Sequence, residues 1–166
     1  MVPRYKFLFQ FIFFIIASNL ALSEVTVSIG NVSVDGYTED IVVPVTVSNP
    51  SETVGGFQFD VMAMPTIINL SGVSPINEND FSADYNIFDD GSARIVFYTN
   101  TGTGVPVGSE EILLNLHFNG QDVLSALVDL EAYGLTVSDA DGDVVAGNIV
   151  NGSITIGNVV FFSSDT

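Results

Sequence analysis

The sequence predicts an all-β fold, a sandwich of two sheets built from about nine short strands. Three observations predict it. Runs of alternating apolar and polar residues recur along the chain, Gly, Asn, Asp and Pro punctuate them at short intervals, and there is almost no helical periodicity. Strands that bury only one face must stack on a second sheet, so this many in one domain imply two layers.

Residues 1–23 precede the fold. Arg4 and Lys6 lead into an apolar run, 7–17, and Ala21-Leu22-Ser23 has the small-residue spacing of a cleavage site, so the segment reads as a secretory signal peptide. A retained anchor is the alternative. Gln10, Ser18 and Asn19 speak against it, because they interrupt a run already shorter than the ~20 apolar residues a span needs. After cleavage no membrane insertion is expected, and Arg94 alone faces twenty acids, a net charge of −19. Such a surface cannot neutralise phosphates, which excludes nucleic acid and anionic lipid as partners. With no cysteine, the chain has no disulfides, catalytic thiols or zinc–thiolate sites, and about 143 residues must hold together by burial alone.

The expected strands are 25–34, 40–49, 55–63, 68–75, 93–100, 111–119, 127–138, 143–148 and 152–160. In 40–49, Pro44 cannot donate a ladder hydrogen bond, which places that strand at an edge or breaks it, and allows a strand that switches sheets. In 55–63, Phe57, Phe59 and Val61 share the core face, and Gln58, Asp60 and Met62 the other. In 111–119 the same alternation turns Ile112, Leu114, Leu116 and Phe118 inward, and His117 outward beside Asn115 as a solvated surface residue. The polar stretch 75–91 reads as a long connection with one short strand near 85–88, and 99–109 as a loop without a phosphate-binding pattern. Residues 27–32 and 154–159 echo each other, which fits two strands in similar settings at opposite ends of one domain.

Chemistry finds little support. His117 is the only imidazole, no Gly-x-Ser-x-Gly turn exists, and twenty acids make a carboxylate pair unavoidable by chance. There is no Trp, so a sugar platform would fall to Tyr37, Tyr85, Tyr98 and Tyr133. Asn31, Asn69 and Asn151 stand in glycosylation sequons. Asp139, Asp141 and Asp143 start like a calcium loop, yet positions 6 and 12 from Asp139 are Val144 and Val150, where such a loop needs Gly and Glu. Asp141-Gly142 instead reads as a two-residue hairpin turn, with a weak surface ion on the three acids as the alternative.

The order of motifs VTVSIGNVSV, DIVVPVTVSNP, VGGFQFDVMAMP, GSARIVFYTN, VPVGSEEILLNLHF and VNGSITIGNV resembles the cohesin-like domain, over roughly Val25 to Asn158. The departures are Ala63-Met64-Pro65, where the family usually has Tyr-Asp-Pro, and the acidity of the long loop. The resemblance implies a jelly-roll sandwich at 24–158, followed by a tail or linker at 159–166. It implies a secreted or cell-surface binding and scaffolding module with no catalysis and no cofactor of its own, docking dockerin modules that bring their own calcium. Its partner face would carry Gln58 and Asp60 with Arg94, Val96 and Tyr98, or Ile95 and Phe97 if a bulge shifts the register. Arg94, the sole cation, reads equally as a binding anchor and as an offset for neighbouring acids. A carbohydrate-binding module contacting polysaccharide, or a structural adhesin or surface-layer domain, is the alternative.

Overall fold

The computed structural model describes residues 24–49 and 52–157. The expected signal peptide, the tail, and the second half of the echo beyond Gly157 lie outside the described residues. Among the described residues twelve strands follow one another: β1 (Val25–Ile29), β2 (Asn31–Val34), β3 (Ile41–Asn49), β4 (Gly56–Met64), β5 (Asn69–Pro75), β6 (Phe81–Ile87), β7 (Ala93–Thr99), β8 (Ser109–Asn119), β9 (Ala126–Ser138), β10 (Val144–Val145), β11 (Gly147–Val150) and β12 (Gly152–Ile156). One sheet has the order β11-β1-β3-β8-β5, and the other runs β2-β12-β9-β4-β7-β6, with β10 paired to β9. The two-sheet sandwich is therefore as expected, and the higher strand count has three identifiable sources.

Two of the extra strands come from splits. Residues 25–34 bend at Gly30, so that β1 lies in one sheet and β2 in the other, and 143–148 divides at Ala146 into β10 and β11. The third is β6, which fills much of the expected connection and pairs with β7 from Phe81↔Thr99 to Ile87↔Ala93. Its polar composition hides it, and residues 84–87 are exposed on both faces, so no alternation of apolar residues marks it.

The crossing at Gly30 joins both ends of the domain. β1 pairs in parallel with β11, β2 pairs in parallel with β12, and the two segments change sheets side by side at Gly30 and Asn151. Their backbones touch there: a Cβ on Gly152 would run into the Gly30 carbonyl oxygen and lie 2.7 Å from Ile29 Cγ2. Only glycine fits.

Pro44 sits beside this crossing, which corrects its expected place. β3 is unbroken and internal, between β1 and β8. The Gly30 N–H donates to the Pro44 carbonyl at 2.8 Å, so Pro44 turns its N-side toward the point where β1 leaves the sheet. No ladder bond is missed, because a residue's N–H and C=O point the same way along a strand.

The core lies between the sheets. Val25, Val27, Val43, Val45 and Val47 from one layer meet Phe59, Ile95, Phe97, Leu130 and Ile154 from the other, all essentially buried. Phe97 stacks between Phe57 and Phe81, at ring separations of 4.8 and 5.0 Å. Ile112 departs from the expected inward row: a bulge opposite Val45/Thr46 turns it outward, 47% exposed, and buries Leu113 at 2% instead. The extra residue reverses the alternation on the N-terminal side of the bulge while Leu114, Leu116 and Phe118 keep their inward places, which simple alternation cannot foresee.

Gly152→Ala is expected to destabilise the domain by about 1–3 kcal/mol, the usual cost of overpacking a closed site. Urea unfolding should show a lower midpoint at unchanged slope, and an unchanged midpoint would mean that the crossing is not tight.

Candidate partner-binding face

The outer face of the larger sheet is built from three adjacent strands, β9, β4 and β7. Gln58 pairs with Val96, Asp60 with Arg94, and Gly56 with Tyr98, with no bulge between β4 and β7. All five expected face residues, Gln58, Asp60, Arg94, Val96 and Tyr98, therefore stand on one surface, while Ile95 and Phe97 are buried beneath it. On the other flank Tyr133 lies beside Asp60, Thr136 beside Gln58 and Glu131 beside Met62, after a bulge at Gly134, whose φ is 67°. The sequence named Tyr133 only as a sugar-platform candidate and gave no role to Glu131; alternation along β9 places both on this face up to that bulge.

The two ends of this face differ. At one end Arg94 Nε and Nη2 donate to Asp60 Oδ1 and Oδ2 at 2.8 and 2.9 Å, a fork-to-carboxylate pair. The Asp60 hydrogen bonds, and then its charge, raise the Arg94 pKa above its ordinary value. The guanidinium carbon also lies 5.6 Å from the Phe88 ring centre. Phe88 opens the tight turn between β6 and β7, where the Ser92 hydroxyl and N–H hold the Asp90 carboxyl below the usual range. Arg94 thus offsets a named acid and still presents a half-exposed side chain on the face.

At the other end a depression of about 520 Å³ opens between Tyr98 and the 139–142 turn, floored by Gly55, Gly56, Gln58 and Val96. The turn is not the expected two-residue one. Gly142 N–H bonds to the Asp139 carbonyl and Asp139 N–H to the Asp143 carbonyl, with Gly142 at φ 92°, so the turn spans Asp139 to Gly142 and ends in a left-handed glycine. Asp139 Oδ1 accepts from the N–H groups of Asp141 and Asp143 at 3.0 and 2.9 Å. That carboxylate closes the loop. Among the described residues no group of three or more His, Asp or Glu side chains is placed to hold a metal ion.

The opposite face carries a cluster around His117, which the sequence gave only as a solvated surface residue. His117 Nδ1 lies 3.0 Å from Asp40 Oδ1 and His117 Nε2 lies 2.8 Å from Ser74 Oγ, so this outward imidazole is tied down and partly covered. The order Asp-His-Ser is that of a hydrolytic triad, but Ser74 sits within a strand and is followed by Pro75. Proline has no N–H to hold an oxyanion where the residue after the nucleophile normally supplies one. The cluster instead ties together three neighbouring strand segments, through Asp40 beside β3, His117 on β8 and Ser74 on β5.

Comparison with known proteins identifies the architecture. The family model for the cohesin domain matches residues 25–156. The chain belongs to the cohesin family. Among solved structures, the non-cellulosomal cohesin of the archaeon Archaeoglobus fulgidus is 20% identical, covering 82% of this chain and 93% of its own, at a TM-score of 0.64. CaCohA2 of Clostridium acetobutylicum is 24% identical, covering 81% and 92%, at 0.65. The sixth cohesin of scaffoldin B from Acetivibrio cellulolyticus, solved in complex with a Cel5 dockerin, is 20% identical, covering 81% and 99%, at 0.63. No curated protein matches the chain. At these identities the likeness to the solved structures is one of fold.

Proposed function

We propose that this cohesin domain is a secreted binding and scaffolding module that docks a dockerin-type partner on the outer face of β4, β7 and β9. The observation that carries the reading is the unbulged β4–β7 register, which sets Gln58, Asp60, Arg94, Val96 and Tyr98 in one continuous patch over a rigid aromatic layer. Hot spots favour aromatic and Arg side chains held on a stiff support, and Tyr98 and Arg94 meet that description. Solved relatives that carry dockerins add support for the class of partner. Asp139 already spends one carboxylate oxygen on its own turn, so calcium in the complex would enter with the partner.

Export is part of the proposal, supported by the charged start and apolar run of residues 1–23. The mass of the secreted protein is expected to place the mature N-terminus at Glu24, and a retained leader would contradict it.

Binding is tested by titrating dockerin modules encoded in the same genome against the chain in calcium. Val96→Arg, in the middle of the patch, is expected to weaken capture about tenfold or more, as removal of about 1.4 kcal/mol would. Val42→Arg, exposed on the opposite sheet, should leave it unchanged. If both variants bind like the parent, the face is assigned wrongly. If no dockerin binds the parent, the partner class is wrong.

A further inference from the structure

The depression between Tyr98 and the 139–142 turn has a composition unlike the rest of the face. Gly56 occupies an outward position directly opposite Tyr98 on β7 and opposite Ser138 on β9. Its missing side chain leaves the floor bare, and it cannot be replaced, because a Cβ there would lie 2.7 Å from the Phe97 carbonyl oxygen. Gly55 is equally confined, since its Cβ would collide with the Asp139 carbonyl oxygen. The two glycines draw the acidic turn against the sheet and keep the hollow beside it open.

Three kinds of surface converge on the hollow. Tyr98, 48% exposed, supplies an aromatic wall. Val96 and Gly56 supply an apolar floor, and Asp141, exposed at the turn, supplies a carboxylate rim. Asp139 holds the turn in place through two backbone N–H groups, so Asp141 is presented by a fixed loop. An aromatic ring beside a carboxylate favours a long side chain with an apolar stem and a cationic head. The chain cannot fill the site itself, since among the described residues Arg94 is the only Lys or Arg, and it is paired with Asp60.

We propose that this hollow is the anchor site for a lysine or arginine of the docked partner, its stem packed on Tyr98 and Val96 and its head at Asp141. The inference rests on the proposed docking face and specifies the partner's chemistry. A net charge of −19 on the mature chain fits a partner whose contact surface is basic, and makes the encounter faster at low salt.

The test uses the isotope-labelled chain and a blocked pentapeptide, alanine-leucine-lysine-leucine-alanine, with the same peptide carrying norleucine or glutamate at its centre. The lysine peptide is expected to shift the amide signals of Gly55, Gly56, Tyr98 and Gly142 saturably. Asp141→Asn and Tyr98→Leu should each weaken it about fivefold, as should raising the salt to about 1 M, where the Debye length falls to about 3 Å. Asp122→Asn, an exposed acid in another loop, should not.

Equal shifts from the norleucine peptide, indifference to Asp141→Asn, or absence of any saturable shift overturns the proposal. So do shifts at these amides from cellohexaose alone, which would assign the hollow to sugar. Peptide binding here without any dockerin binding overturns the docking partner and leaves the basic anchor standing. Full dockerin affinity in Asp141→Asn without peptide binding overturns the anchor alone.

Discussion

The structure depends on one close approach, where the first and last segments of the domain cross together from one sheet to the other. Gly152 lies against the Ile29–Gly30 backbone at a separation that admits no side chain, and Gly30 is itself confined by Pro44 of β3. That contact holds β12 in parallel beside β2 and antiparallel beside β9. Through β9 it sets β4, and through β4 it sets β7, so the proposed docking patch inherits its geometry from a crossing at the edge of the same sheet. With no cysteine in the sequence, this pairing of both ends of the domain replaces a covalent closure, and the core beneath it supplies the free energy.

The face itself shows how rigidity and recognition divide along one strand. Inward, Phe57, Phe59 and Val61 lock β4 to the core, and Phe97 stacks on Phe57 from β7. Outward, alternate residues of those same strands are free to vary in chemistry without touching the core, because the side-chain period is two. One end of the face is neutralised internally by the Arg94–Asp60 pair, and the other ends in an acidic turn beside bare glycine. A partner docked there as proposed would meet a surface of two unlike halves, which would fix its orientation as well as its place.

Much of this was legible in the chain. Alternation in GGFQFDVMA set the inward and outward rows of β4, and alternation in ARIVFYT grouped Arg94, Val96 and Tyr98 against Ile95 and Phe97, with the choice of outward row left to the register that β4 and β7 share. What escaped the sequence lies where one residue changes the count. The bulge that exposes Ile112 and buries Leu113, the one at Gly134, and the sheet switch at Gly30 all depend on partner strands distant in sequence. The Asp40–His117–Ser74 cluster escaped for the same reason, since its members come together only when β3, β8 and β5 are adjacent. Asp139-Ala140-Asp141-Gly142 was read as a turn but given two central residues, because the bond from Asp139 to Asp143 that lengthens it has no local signature.

The proposed docking turns on which of the two outer surfaces a partner covers. Methyl signals of the labelled chain, recorded with and without a bound dockerin module, decide this directly. The prediction is that Met62 and Val96, on the β4 and β7 face, shift on binding, while Val42 and Ile112, on the β3 and β8 face, stay in place. Shifts at Val42 and Ile112 with Met62 and Val96 unmoved would contradict it.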